Sequence, residues 1–239
     1  MLNDIKPEDI LFLDIETVPQ VAEYALLSEQ HKKLWDKKAQ NLIKEQDTPE
    51  TIYSRAGIYA EFGKIICISV GFIVNKDGVR CFRVKSFYGD DERILLLDFA
   101  QMLNRFSKRP AANLCGHNGK EFDFPYIARR MLINGIEIPE ILNIAGKKPW
   151  EVKFLDTMEL WKFGDNKHYT SLNLLAFVFN IPSPKDDIDG SQVSECYYNG
   201  ELKRIVSYCE KDTLAVAQLF LRYKGLPIID PNNVEQADA

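Results

Sequence analysis

A chain of 239 residues has room for one large domain or two small ones, and 46% hydrophobic with 27% charged residues is a globular composition. Disorder, collagen-like structure and coiled-coil fibres are thereby excluded as the main state. With 30 Lys and Arg against 35 Asp and Glu, the net charge is −5, so the strongly basic coat of a tight nucleic-acid binder is absent. Nucleic acid is not excluded, because an enzyme that must release its product gains nothing from such a coat and metal ions supply local positive charge.

Residues 10–17, Ile-Leu-Phe-Leu-Asp-Ile-Glu-Thr, read as a first strand after a Pro-Glu-Asp turn. Apolar residues at helical spacing (Val21, Tyr24, Leu27, Leu34, Trp35, Leu42) predict a helix over 21–43. A polar break covers 44–50, and Thr48-Pro49 starts a short helix through 60. Strands at 64–74 and 79–87 flank an Asn75-Lys76-Asp77-Gly78 hairpin turn. There follow a helix over 91–106, a short strand at 113–117, a helix over 122–133 and a fifth strand at 152–157. Thr170 or Ser171 caps a helix over 171–179, and a long helix covers 202–223. This order predicts an α/β fold with a mixed five-stranded sheet flanked by helices: one domain over 1–225, a helical insertion at about 19–60, and a polar, turn-rich tail at 226–239 that is mobile at its end.

The longest apolar run, 65–74, is too short to cross a bilayer and contains Ser69 and Gly71, so no membrane partner is expected. Met-Leu-Asn-Asp at the amino terminus lacks the pattern of a secretory signal. Five cysteines, at 67, 81, 115, 196 and 209, form no Cys-x-x-Cys pair. They indicate neither a zinc ribbon nor a disulfide framework, and a reducing cytoplasm is the expected compartment.

Asp14 and Glu16 stand two apart on the first strand, so both fall on one face, about 7 Å apart along the backbone. Leu11, Leu13 and Ile15 take the other face. Like charges this close raise each other's pKa unless a cation is present, and hard oxygen ligands favour Mg²⁺ or Mn²⁺. Taken alone, the pair is more simply explained as a solvated strand end. Asp123 falls at the start of the 122–133 helix, where a carboxylate also suits the helix dipole. Gly119-Lys120 is no phosphate loop, since no Ser or Thr follows the lysine, and His117 beside Cys115 lacks further ligands. Tyr208 and Asp212 lie one turn apart on the last helix, a spacing that a solvated Tyr–Asp pair would share.

Together these pieces are more specific than any one of them. Asp14-Ile15-Glu16-Thr17, then Asn118-x-x-x-Phe122-Asp123-x-Pro125-Tyr126, then Tyr208-x-x-x-Asp212 resemble the three motifs of the DEDD superfamily of 3′-to-5′ exonucleases. The likeness is nearest to the proofreading exonuclease domain of family B DNA polymerases. Ser171-Leu172-Asn173-Leu174-Leu175-Ala176 and Ile188-Asp189-Gly190-Ser191-Gln192-Val193 are also similar to that family. The resemblance implies a ribonuclease H-like fold and two Mg²⁺ or Mn²⁺ ions held by Asp14, Glu16, Asp123 and Asp212. It implies that Tyr208, of the tyrosine subtype, orients the attacking water, and that Thr17, Asn118 and Phe122 contact the 3′-terminal nucleotides. Asp156 matches a recurrent acid of the family and is expected to support the site without touching substrate.

No polymerase palm or thumb follows within the 239 residues, so a stand-alone enzyme shortening single-stranded DNA is expected. RNA 3′-end trimming is the alternative within enzymes, and a non-catalytic nucleic-acid- or protein-binding module is the alternative outside them. The insertion at about 19–60 is expected to serve packing or to meet a protein partner. Arg129, Arg130, Lys147, Lys148, Lys162, Lys167, Lys203 and Arg204 are the candidate guides for a strand, with solvated surface as their plainer role. Trp150 and Trp161 are expected in the core or at its rim.

Overall fold

The alternation of apolar residues in Ile10–Pro19 (β1) sends its two sets of side chains to two different cores. Leu11, Leu13 and Ile15 pack with Leu95, Phe99 and Leu103 of Glu92–Phe106 (α2) and Phe124 and Ile127 of Asp123–Ile133 (α3). Ile10 and Phe12 pack instead with Val216 and Phe220 of the long helix Leu202–Tyr223 (α7). The computed structural model that shows this describes residues 2–165, 169–182 and 187–237.

Around β1 the sheet has six strands among the described residues, in the order β5-β4-β1-β2-β3-β6. Gly63–Lys76 (β2) pairs antiparallel with β1 and with Val79–Tyr88 (β3). The hairpin between them turns on Asp77 and Gly78, both at positive φ, with the Asn75 side chain accepting the Gly78 N–H at 2.8 Å. Asn113–Gly116 (β4) runs parallel to β1, and Leu155–Asp156 (β5) parallel to β4. Gly71 lets the Phe82 ring lie against β2, since a Cβ there would sit 2.0 Å from the ring.

The expected mixed sheet flanked by helices is present, but with a sixth strand in place of the expected five. Val234–Gln236 (β6), in the segment expected to be a turn-rich polar tail, pairs parallel with β3. Ile229 is buried, and its main chain exchanges hydrogen bonds with the Gln218 side chain at 2.8 and 3.0 Å. A Pro-rich turn pattern says nothing about such distant partners. Three short helices complete the fold: Thr157–Lys162 (α4), Leu172–Val178 (α5) and Val193–Tyr198 (α6). Ser171, rather than Thr170, caps α5 by accepting the Leu174 N–H.

Residues 19–60 hold one α-helix, Glu29–Ala39 (α1), shorter than the predicted 21–43. Ser28 accepts the His31 N–H and sets the start. The flanking apolar residues leave the helical path to close around Trp35, whose indole donates to Pro49 O at 2.7 Å and whose ring meets Tyr53, Tyr59 and Phe62. The short helix expected to reach residue 60 is a 3-10 stretch, Tyr53–Ile58. Tyr126 bonds its hydroxyl to Gly57 O at 2.7 Å and Tyr198 to Pro19 O at 2.5 Å, fastening the segment to the body.

Arg130, proposed above as a strand guide, is buried and does something else. Its guanidinium forms a fork on Glu92, Nε to Oε1 at 2.8 Å and Nη2 to Oε2 at 2.5 Å, and its Nη1 donates to Ala60 O. Glu92 also accepts the Ile65 N–H at 2.7 Å and the Asn134 amide at 3.0 Å. One ion pair thus joins α2, α3, the start of β2 and the end of the 19–60 segment. Removing one partner leaves the other charge buried, so Arg130→Met should lower the free energy of unfolding by about 3–5 kcal/mol. Exposed Arg129→Met should change it by less than about 0.5 kcal/mol. Urea denaturation of both variants checks the contrast.

Candidate active site

Pairing between β1 and β4 ends at Phe12 and Cys115, and the two strands separate beyond that point. A gap at the carboxyl ends of parallel strands is where α/β sheets place ligands. Asp14 and Glu16 lie at this end of β1, on the face that carries Phe12 toward α7. A register shift between Glu16 and Thr17 marks the spot where regular pairing with β2 breaks.

Asp123 enters the gap from the first turn of α3. Its Oδ1 accepts the Ile15 N–H at 3.1 Å, satisfying a β1 donor that β4 no longer reaches. The turn leading to it is held by Asp156, buried at the end of β5. One Asp156 oxygen accepts the Asn118 N–H at 3.0 Å and the Met158 N–H at 2.9 Å, and the other accepts the Lys120 N–H at 3.1 Å. The same carboxylate therefore caps α4 and shapes the turn, in which Asn118 adopts φ +63°. Asp156 acts through backbone positions, the supporting role expected of it. His117 bridges further, to the Thr157 hydroxyl and to Thr170 O, both at 2.9 Å. Burial pushes its pKa below the ordinary value, which suits a neutral structural imidazole.

From the other side α7 brings Tyr208, Cys209 and Asp212. The buried Tyr208 hydroxyl hydrogen-bonds Asp212, and burial, then the charges of Asp212, Glu16 and Asp14, hold its pKa far above the ordinary phenol value. Cys209 entered the sequence reading as one of five scattered cysteines. Its thiol lies 3.4 Å from both Asp14 Oδ2 and Asp14 O. Ligand atoms of Asp14, Glu16 and Cys209 all fall within 4.8 Å of one another. The signal was present in the sequence, since Cys209 precedes Asp212 by three residues and so shares its face. A thiol at Asp14 is a weak donor that orients the carboxylate; its burial keeps its pKa well up.

Burial, and then the charges of Glu16, Asp123 and Asp212, raise Asp14 well above the usual carboxylate range. Burial likewise brings Asp123 to about 7, with Asp156 and Asp212 adding to the rise and the Ile15 N–H opposing it. Four acids from β1, α3 and α7 thus share one electrostatic field. A hard divalent cation fits this set, because its carboxylate oxygens are the preferred donors and its charge reverses the repulsion; the soft thiol is the poor ligand of the group.

Two of the expected substrate contacts adjoin acids along the chain, Thr17 next to Glu16 and Phe122 next to Asp123. Thr17 is half-buried, with its hydroxyl against Tyr126. Phe122 is half-buried, its ring 5.3 Å from the Tyr126 ring. Asn118 Oδ1 is buried without a hydrogen-bond partner among the described residues. Of the proposed guides, Arg204 forks onto Asp187 and also pairs with Glu201 at 2.6 Å, beside a cleft that Tyr208 lines. Lys147, Lys148 and Lys203 are exposed, Lys162 is half-buried, and Lys167 lies outside the described residues. Trp161 stacks with Tyr223 at 6.2 Å as a rim aromatic, whereas Trp150 is 77% exposed.

A family of predicted 3′-to-5′ exonucleases related to the exonuclease domain of PolB matches residues 58–229. Asn118, Phe122, Asp123, Tyr208 and Asp212 lie inside that span, and Asp14, Glu16 and Thr17 precede it. No curated protein matches the chain.

The crowding of acids has a pH signature. Asp123 rises from 3.8 to about 7 on folding, so the folded state holds its proton more tightly than the unfolded chain. Its contribution is most favourable below about pH 4 and is lost as the pH rises through about 7. In EDTA, Asp123→Asn should therefore gain stability over the parent by an amount that grows from pH 5 to pH 8, on the order of a few kcal/mol. Urea midpoints of the two proteins across that range check it. A variant less stable than the parent at pH 8 would show that the Asp123 contacts outweigh the cost of burying its charge beside other acids.

Proposed function

Because the chain belongs to the 3′-to-5′ exonuclease family related to the exonuclease domain of PolB, we propose that it removes nucleotides from the 3′ end of single-stranded DNA, releasing nucleoside 5′-monophosphates. The observation that carries this reading is the meeting of Asp14 and Glu16 with Asp123, Tyr208 and Asp212 at the open end of β1, in one shared field. Asp14, Glu16 and Asp212 would hold one Mg²⁺ or Mn²⁺ ion, and Asp14 with Asp123 a second. Such a pair supplies the activated water and stabilises the attacking and leaving oxygens of an in-line displacement.

The protein's own groups have separable tasks. Tyr208, with its pKa held far up, stays protonated at neutral pH. Its hydroxyl can orient water but cannot serve as a base. Asn118 Oδ1, an orphaned acceptor, calls for a donor. The 3′-hydroxyl of the terminal nucleotide provides one, and a phosphate oxygen does not. Phe122, at the edge of the gap, presents a ring against which the terminal base can stack. Asp156 and His117 keep the Asn118 turn in place without touching the strand. A cytoplasmic setting belongs to the same proposal and rests on five cysteines that are all free thiols.

A gel time course on 5′-labelled single-stranded DNA with Mg²⁺ or Mn²⁺, beside a matched RNA and an EDTA control, tests the reading. A metal-dependent ladder shortening from the 3′ end is expected, faster on DNA than on RNA. Asp14→Ala and Asp212→Ala should each lower the rate by about a thousandfold, as loss of several kcal/mol of transition-state stabilisation requires. Tyr208→Phe should cost less. Mn²⁺ should raise the melting temperature of the parent and leave both alanine variants unmoved. Faster RNA shortening would make the enzyme an RNA trimmer, and full activity in both alanine variants would remove the site assignment.

A further inference from the structure

Leu11 points to the side of the sheet away from α7, toward α2. On that face, opposite the one that carries Asp14, a groove of about 330 Å³ runs between β3 and the last turn of α2. Arg83 and Lys85 of β3 stand on one wall, and Arg105 and Arg109, both exposed, on the other. Among the described residues no carboxylate lines it. Its floor is apolar, formed by Leu11 and Val70 with Phe72, Met102 and Phe106.

In a chain of net charge −5, four converging cations attract anionic partners. The floor narrows the choice. The Arg83 guanidinium lies 5.9 Å from the Phe72 ring centre, and that of Arg109 lies 5.6 Å from Phe106. These rings already face cations, so they offer no open platform for bases, and a phosphate backbone would leave the floor unfilled. An acidic peptide with an apolar side chain or two satisfies both parts. Its carboxylates meet arginine forks, and its apolar groups leave water for the floor. Ala237 also lines the groove, its N–H on Val84 O at 2.7 Å.

We propose that this groove docks an acidic segment of a partner protein, with leucine- or phenylalanine-sized side chains on its floor and carboxylates on Arg83, Lys85, Arg105 and Arg109. The proposal does not depend on the nuclease reading. Fluorescence anisotropy with a fluorescein-labelled Asp-Asp-Leu-Asp-Asp-Phe-Asp peptide tests it on the full chain. The peptide should bind, and analogues with Asn for Asp, or with Ser for Leu and Phe, should bind more weakly. Arg105→Glu combined with Arg109→Glu should weaken binding at least about tenfold, with an unchanged circular dichroism spectrum. The rate of oligonucleotide shortening in that variant should match the parent. Equal binding by the Asn analogue, or no effect of the double reversal, overturns the proposal. So does displacement of the peptide by a tighter-binding single-stranded oligonucleotide, which would assign the groove to nucleic acid. Binding that arises only after removal of Asp238 and Ala239 overturns it too, since the groove would then belong to the chain's own terminus.

Discussion

Mutual repulsion among carboxylates is the constraint around which this fold is arranged. Asp14 feels Glu16, Asp123 and Asp212 at once, in surroundings that exclude much of the water that would screen them. Such a cluster does not persist through its own interactions. It persists because each acid is delivered by an element anchored elsewhere: β1 in the middle of the sheet, α3 against the core over α2, and α7 along the opposite face. The same repulsion, added to the larger cost of burying the charges, prepares the cluster for a divalent cation, whose charge would offset both.

The anchors are polar as well as apolar. Asp123 is positioned by the Ile15 N–H, so the strand that carries two of the acids also orients a third. Asp156 uses its two oxygens on three close backbone donors and thereby fixes both the Asn118 turn and the start of α4. Farther out, the Glu92–Arg130 fork ties α2 and α3 to the edge of the 19–60 segment. Asp156 and the Glu92–Arg130 pair are buried charges with most of their lone pairs and protons hydrogen-bonded, the condition under which burial of charge is tolerated.

Residues 19–60 illustrate a second way of stabilising a peripheral segment. Its helix is short and two of its apolar runs are not helical, yet Trp35 gathers the rings of Tyr53, Tyr59 and, just past the segment, Phe62 into a satellite core. Hydroxyls of Tyr126 and Tyr198 then bind the segment's main chain to the body. It is thereby held next to Pro19, at the same end of β1 as the acids.

Local pattern was enough for most of the architecture. Period-two alternation placed Asp14 and Glu16 together, the Asn-Lys-Asp-Gly turn located the hairpin, and the last helix was legible at both ends, Leu202 and Tyr223. Spacing placed Asp14 beside Glu16 and Tyr208 beside Asp212, and it was the resemblance to the exonuclease motifs that joined them with Asp123 into one candidate site. What sequence left open was every relation between distant segments. Nothing local says that Val234–Gln236 pairs with β3, that Arg130 turns inward to Glu92, or that the Cys209 thiol rests on Asp14. A helix over 21–43 failed for the same reason: apolar spacing records which residues seek burial, and only the packed structure decides which surface buries them. The acids were determined by the sequence; their closeness, and the field that follows from it, was decided by tertiary packing.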